Sequence, residues 1–225
     1  MKEIYRRIAV FLFCIVCCLC TSRAQTMRGW GADGSVYLSS PYGNYIADIG
    51  GSRYWSIGKF LTIGTGAKLS YVHMGNLGEW YTKNEHYSFN DDDPLISLDG
   101  IGNVALNFPI VKQIGVYCDA SVSFSIIPWD YVEIKKYHHD TPINYDTKSI
   151  YAFNKFSPRL FTGAGVYYDF KQEGSILRVA LGYGYGYYDA LQGCRNVTYD
   201  GQKLSEHIPN ASHLHRVILK VILFK

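Results

Sequence analysis

Residues 181–188 read LGYGYGYY, a glycine at every second position with a large apolar or aromatic residue between. A side chain on one side of the backbone and almost nothing on the other is the period-2 signature of a β-strand whose two faces meet different surroundings. The division extends upstream: Leu177, Val179, Leu181, Tyr183, Tyr185 and Tyr187 share one face, Arg178, Ala180, Gly182, Gly184 and Gly186 the other.

The same split recurs along the chain. Leu61, Ile63, Ala67, Leu69 and Tyr71 oppose Gly64, Gly66, Lys68 and Ser70. Ile96, Leu98, Val104, Leu106 and Phe108 oppose Ser97, Asp99, Asn103 and Asn107. Val116, Cys118, Ala120, Val122, Phe124 and Ile126 oppose Tyr117, Asp119, Ser121, Ser123 and Ser125. Leu160, Ala164, Val166, Tyr168 and Phe170 oppose Arg159, Gly163, Gly165 and Asp169, and Val217, Leu219, Val221 and Leu223 oppose Arg216 and Lys220. Two earlier segments, about 30–39 (Val36 and Leu38 against Asp33 and Ser35) and about 44–57, bring the predicted strands to eight. The Gly50-Gly51 pair reads as a bulge, so the faces of the second segment stay unassigned.

The joins between segments alternate in length. Those at Gly58-Lys59, Val111–Gln113 and Lys171–Ser175 are short, whereas those at about 75–94, 128–156 and 190–212 are long. Short turns at one end and long loops at the other, with an even strand number, are the layout of a transmembrane β-barrel. The expected fold is therefore all-β, a closed antiparallel eight-stranded transmembrane barrel with short periplasmic turns and long extracellular loops. Volume decides which face looks outward. An eight-stranded barrel is just wide enough to be filled by side chains, and the bulky apolar faces together would overfill it. The face rich in Gly, Ser and Ala suits the lumen, where each glycine leaves room for a long side chain reaching across.

Two groups of residues follow from that assignment. Asp33, Lys68, Asp99, Asp119, Arg159, Arg178 and Arg216 are placed in the lumen, where charges surrounded by lipid must be paired or hydrated; they are expected to form a structural charge network. Tyr71, Tyr168, Tyr183, Tyr185 and Tyr187 are expected to face the membrane. Tyr185 and Tyr187 fall near the outer interface, where an apolar ring with a polar tip is favoured; Tyr183 falls deeper, where that argument does not reach.

The N-terminus reads differently from the rest. MKEIYRR, then the apolar run IAVFLFCIVCCLC, then TSRAQ, has the form of a secretory signal peptide over residues 1–24, cut at about Gln25. The apolar run, about 13 residues, is too short for a membrane-spanning helix, which needs roughly 20. Its removal takes four of the 22 cationic and one of the 19 acidic residues, leaving 18 of each, so nucleic acid is not an implied partner. Of six cysteines only Cys118 and Cys194 remain, which is no disulfide framework, and their positions in wall and loop argue against a bridge. Residues 25–225 then read as one barrel domain.

With its signal, its eight alternating segments, the Gly/aromatic stretches GTGAKLSYVHM and LGYGYGYY and its final apolar strand, the chain resembles the small eight-stranded outer-membrane β-barrel family, the OmpA/OmpX-like porin-family group of Gram-negative bacteria. The resemblance implies residence in the outer membrane among lipid and lipopolysaccharide, insertion by the barrel-assembly machinery, and surface loops that meet partners. Members typically end on a strand whose terminal aromatic is read by that machinery; here Phe224 is next to last, before Lys225. No single reaction is implied.

Little in the sequence points to catalysis. A lipid A acyltransferase or deacylase needs a histidine beside a hydroxyl, with a carboxylate to orient it. His73 and Ser125 lie at suitable heights but on opposite faces by parity. His213 and His215 share a strand face with spacing suited to a metal, but no third ligand is identifiable, His207, His138 and His139 lying in loops; rim histidines at the interface are the simpler reading. The acidic run NDDDP at 90–94 lacks calcium-loop spacing and reads as solvated. Asp200-Gly201 in VTYDGQKL predicts a tight turn in a protruding hairpin. Asn196-Val197-Thr198 fits the glycosylation pattern only formally. The expectation is thus a non-enzymatic membrane scaffold without cofactor or metal, whose loops at 75–94, 128–156 and 190–212 bind partners or adhere. A lipid A enzyme and a narrow channel or small-molecule carrier stand as alternatives.

Overall fold

The computed structural model describes residues 26–38, 45–73, 78–81, 85–90, 95–129, 131–138, 141–151, 158–188, 195–207 and 212–225. The expected signal peptide, the NDDDP run apart from Asn90, His139 and Cys194 lie outside them.

Eight long strands close into one barrel: β1 (Thr26–Leu38), β2 (Tyr45–Ile57), β3 (Leu61–His73), β6 (Leu95–Pro109), β7 (Ile114–Trp129), β10 (Arg159–Gln172), β11 (Ser175–Tyr188) and β14 (Ser212–Phe224). Each pairs antiparallel with its sequence neighbour in this set, and β1 closes on β14 from Gly29↔Phe224 to Leu38↔His215. The backbone pair Arg28 and Lys225 extends that seam with N–H···O contacts of 3.1 and 2.7 Å. At one end the chain reverses at 58–60, 110–113 and 173–174, with Gly58 (φ 62°) and Gly174 (φ 75°) in the left-handed region these tight turns demand.

Alternation explains why the sheet curls shut. Leu181, Tyr183, Tyr185, Tyr187, Val166, Leu219 and Val221 face outward and are exposed, while Ala180, Arg216, Ile218 and Lys220 on the same strands are buried inside. A closed barrel leaves no unpaired edge, so the backbone polar groups of the wall pair along its ladders rather than facing hydrocarbon. From Leu177 to Tyr187 the outward face of β11 rises roughly 25 Å, at about 3.3 Å per residue and a strand tilt of about 40°. That is the height of the apolar band of a membrane barrel. An aromatic and histidine girdle marks its upper edge (Tyr71, Tyr185, Tyr187, His213). Phe108, Phe170 and the Trp30–Arg53–Trp55 group mark the lower one. There Arg53 stacks its guanidinium against both indoles, 5.5 and 5.6 Å from the ring centroids. Its stem covers apolar wall while the charge reaches the interface.

The second strand departs from expectation. No bulge sits at Gly50-Gly51: both neighbours keep register through it, Gly50 opposite Asp33 and Lys68, Gly51 opposite Ala32 and Ala67. Gly50 is required by a close approach, since a Cβ there would lie 2.8 Å from that of Lys68. The barrel's register shift falls instead between Leu98 and Asp99, opposite Ile127 and Ser125. Ile46, Asp48, Ser52 and Tyr54 of β2 point inward; Ile49 and Arg53 point outward.

Six further strands stand beyond the barrel at the end away from the short turns. β4 (Gly78–Tyr81), β5 (Glu85–Asn90), β8 (Tyr131–His138) and β9 (Thr141–Tyr151) form a separate sheet in that order, and β12 (Thr198–Tyr199) pairs with β13 (Gln202–Lys203). The long connections are therefore partly ordered as sheet. The β12–β13 turn places Asp200 (φ 48°) and Gly201 (φ 76°) in the left-handed region, the two-residue geometry that an Asp-Gly pair supports.

Candidate functional site

Inside the barrel, charges of opposite sign meet in layers. Near the loop end, Lys68 Nζ lies 2.7 Å from Asp48 Oδ2, which also accepts the Tyr37 hydroxyl at 2.7 Å, while Ser35 donates to Oδ1. Beside it, Arg159 Nη1 lies 2.8 Å from Asp99 Oδ2. Ser70 and Ser97 donate to the two Asp99 oxygens at 2.7 and 2.9 Å. Arg159 Nη2 reaches Ser97 and the Tyr188 hydroxyl at 3.2 and 2.9 Å, its guanidinium 3.9 Å from the centroid of the Tyr188 ring. At mid-height Lys220 Nζ meets Asp119 Oδ2 at 2.6 Å, and Arg216 donates to Ser121 at 2.7 Å above the Phe161 ring. Near the short-turn end Arg178 grips Asp169 in a two-point contact of 2.7 and 2.9 Å, donates to Asn107 at 2.9 Å, and lies 4.0 Å from the Tyr167 ring.

All seven lumen residues expected from the sequence lie within the barrel, but not as one network. Lys68, Asp99, Asp119, Arg159 and Arg178 are in ion pairs; Arg216 is held by a serine and a ring. Asp33 is buried, and its Oδ1 has no hydrogen-bond partner among the described residues. Three members were missed: Asp48, Asp169 and Lys220. The last two were already on the polar face by parity. Asp48 sits on the strand whose faces alternation could not assign. Among the described wall residues, five carboxylates (Asp33, Asp48, Asp99, Asp119, Asp169) thus face five cations (Lys68, Arg159, Arg178, Arg216, Lys220), so the filling is neutral as a whole.

Large rings occupy the remaining volume, and they explain the alternating glycines. Tyr117, Tyr54, Phe161, Tyr167, Tyr188 and Phe224 all point inward. A Cβ on Gly182 would lie 2.1 Å from the Tyr117 hydroxyl, one on Gly186 2.6 Å from the Phe161 ring, and one on Gly184 3.0 Å from Arg216 Nε. Each glycine of LGYGYGYY leaves space that an inward side chain fills: Arg216 and Phe161 from the two paired strands, and Tyr117 from β7, one strand farther round.

The outward tyrosines occupy the opposite face. Tyr71, Tyr183, Tyr185 and Tyr187 are exposed on the wall; Tyr168, half-buried, donates to Gln113 at 2.8 Å at the short-turn end. Tyr183, the one lying too deep for an interface argument, is hydrogen-bonded to His215 Nδ1. His213 stacks on Tyr185 at 5.4 Å and packs edge-on against Tyr187 at 5.9 Å. The two histidines thus pack with tyrosines, and no group of three or more metal-ligating side chains occurs among the described residues. His73 and Ser125 lie on opposite faces of the wall, as parity implied.

Above the rim, the small sheet is covered on one side. Lys136 of β8 reaches Asp200 in the hairpin turn at 2.7 Å and Glu85 at 2.8 Å. The Tyr87 hydroxyl donates to Glu85 at 2.5 Å and lies 3.1 Å from Asp200 Oδ2, and its ring meets Tyr199 edge-on at 6.1 Å. The other side carries an aromatic stack: His86 lies between Tyr81 at 4.3 Å and Tyr137 at 5.2 Å, with Glu79 3.2 Å from its Nε2.

The hairpin contact is a latch with a definite pH sense. Hydrogen bonds from Lys136 and then Tyr87 hold the Glu85 carboxyl below its usual value. Hydrogen bonds to Asp200 and then Glu85 hold the Lys136 ammonium above its own. A lowered carboxyl contributes stability above its unfolded value of about 4.3 and loses it as pH falls through the folded value; a raised amine loses its contribution only as pH climbs past the folded one. The Glu85–Lys136 contact therefore holds through neutrality and weakens in acid, where an ordinary aspartate carboxyl also loses its charge and with it the Asp200–Lys136 pair that ties down the hairpin. Amide exchange or proteolysis at Thr198–Lys203 is expected to rise several-fold below about pH 4, and Lys136→Met is expected to produce the same rise at neutral pH.

No protein-family model matches the chain, and no curated protein matches it in sequence. Solved structures match its fold. Neisserial surface protein A is 11% identical, with 90% of this chain and 98% of that one covered and a TM-score of 0.40. A major outer membrane protein from Thermus thermophilus is 9% identical, with 88% and 99% covered and a TM-score of 0.38. Ail, the attachment invasion locus protein of Yersinia pestis, is 8% identical, with 90% and 98% covered and a TM-score of 0.32. At these identities and TM-scores the likeness carries no argument about role. The resemblance to small eight-stranded outer-membrane barrels that the alternating segments implied rests on the closed barrel described above.

Proposed function

We propose that the chain is an outer-membrane scaffold: a barrel exported by the signal of residues 1–24, with a filled lumen, whose extension beyond the rim binds partners or adheres. The observation that carries this reading is the neutral plug. Five carboxylates and five cations, packed with aromatic rings, occupy the bore of a barrel already too narrow to leave an open path. The long-loop end then faces outward from the cell, and the sheet with its Tyr81–His86–Tyr137 stack is the recognition surface. Aromatic rings beside a carboxylate suit sugar or protein contacts. The loop segments 75–94, 128–156 and 190–212 contribute that surface, with lipopolysaccharide as its immediate surroundings and the barrel-assembly machinery as the inserting partner. Neither a cofactor nor a catalytic group enters this reading.

Cells expressing the full chain would be fractionated, and the detergent extract run on a gel with and without boiling. A membrane species whose mobility shifts on heating, and which carries no current in a planar bilayer, is the expected result. A stable single-channel conductance would replace the scaffold with the narrow channel, and a soluble species would overturn the membrane assignment. Binding of the expressing cells to host-matrix glycans and proteins, compared with a Tyr81→Ala/Tyr137→Ala variant, then tests the recognition surface.

A further inference from the structure

The outward wall is not evenly bulky. Two adjacent register rows cross β3, β6, β7, β10, β11 and β14 in turn. One runs Ile63, Val104, Ala120, Thr162, Tyr185, His215; the next runs Thr65, Gly102, Val122, Leu160, Tyr187, His213. At their centre Gly102, Ala120 and Thr162 are small. A Cβ on Gly102 would meet only Val122 Cγ1, at 3.7 Å. Between them and the taller Val104, Val122, Leu160, Tyr185 and Tyr187 lies an almost wholly apolar groove of about 620 Å³ that ends at His213.

The groove has a direction. Ile63 is three residues into β3 from a short turn, whereas His213 is the second residue of β14 at the loop end. Six strands at about 4.8 Å spacing make a path of roughly 24 Å. With strands tilted about 40° it climbs roughly 15 Å toward the outer rim. A depression in a wall surrounded by hydrocarbon is filled by hydrocarbon, because a void would forfeit dispersion contacts along its whole lining. Its upper end is polar, at the height of the aromatic girdle, where lipid headgroups lie. There His213 is held by Tyr185 on its face and Tyr187 at its edge, so an imidazole donor is already positioned at that height.

We propose that this groove is a fixed lipid site, taking one acyl chain of a phosphate-bearing lipid from the loop-side leaflet, with the headgroup phosphate at His213. The proposal rests on the membrane reading above and names a partner for its wall.

The test is native mass spectrometry of the refolded full-length barrel, released from nanodiscs of phosphatidylcholine containing either phosphatidylglycerol or a diacylglycerol with the same chains. One retained phosphatidylglycerol per barrel is expected, with weaker retention of the phosphate-free diacylglycerol. Ala120→Leu/Thr162→Leu fills the groove from its floor and is expected to lower the retained fraction at least about ten-fold, the effect of two excluded methylenes. His213→Ala is expected to erase the preference for phosphate while leaving chain binding. Ala32→Leu, outward on β1 across the barrel, is expected to change nothing. These side chains project from the wall rather than into the lumen, and the heat-dependent gel shift checks that each variant folds. Undiminished retention in the filled variant, an equal loss in Ala32→Leu, or equal retention of both lipids would overturn the site while leaving the barrel in its membrane. Failure of the wild type to enter nanodiscs would overturn the site and the membrane reading together.

Discussion

Replacing Arg159 with methionine is expected to destabilise the barrel by about 3–5 kcal/mol, the cost of stranding one half of a buried ion pair. Asp99 has no exposed surface, and Arg159 lies 2.8 Å away with 3% of its own surface exposed. Methionine keeps most of the volume but none of the donors. The Asp99 carboxylate is left with the two serine hydroxyls, and the Tyr188 hydroxyl loses the Arg159 donor. Urea unfolding in lipid vesicles, followed by tryptophan fluorescence, gives the number directly. Adding Asp99→Asn should restore most of the loss, because an amide has no charge to compensate. If Arg159→Met alone unfolds at the wild-type urea concentration, the plug is held by its rings and not by its charges.

The second large effect concerns the outward face. Leu181 lies between Val166 and Leu219 near mid-height of the wall, 53% exposed. In a bilayer Leu181→Arg is expected to cost about 2–4 kcal/mol, whereas Tyr187→Arg, at the upper girdle, should cost at most about 1 kcal/mol. The depth dependence is the diagnostic. A soluble carrier with the same fold would tolerate arginine at either exposed position within about 0.5 kcal/mol. Equal unfolding midpoints for the two variants would therefore argue that no hydrocarbon surrounds the wall, and a steep difference locates its centre.

Legibility in the sequence followed the strength of the alternation. On β11, β7 and β10 a bulky residue faces a small or polar one at nearly every step, and inside and outside could be assigned from the sequence. On β2 the run Gly50-Gly51-Ser52 interrupts the pattern, and Arg53 and Trp55 stand on the outward face beside Ile49. Nothing within that segment orders its faces. They are set by pairing on both sides, which puts Asp48 opposite Ser35 and Ser70 and so within reach of Lys68. The deep Tyr183 is similar: its hydroxyl is satisfied by His215 on the neighbouring strand, a contact 32 residues away in sequence.

The sequence by itself determined the eight strands of the barrel wall, the polarity of the two faces on most of them, and a lumen that must hold charge, because period 2 is a local property of each segment. Only the tertiary structure decided which carboxylate meets which cation, which side chains fill the spaces above Gly182, Gly184 and Gly186, and that two small-residue rows align into a groove. Those depend on inter-strand register and on closure of β1 against β14, which bring together residues that no local pattern relates.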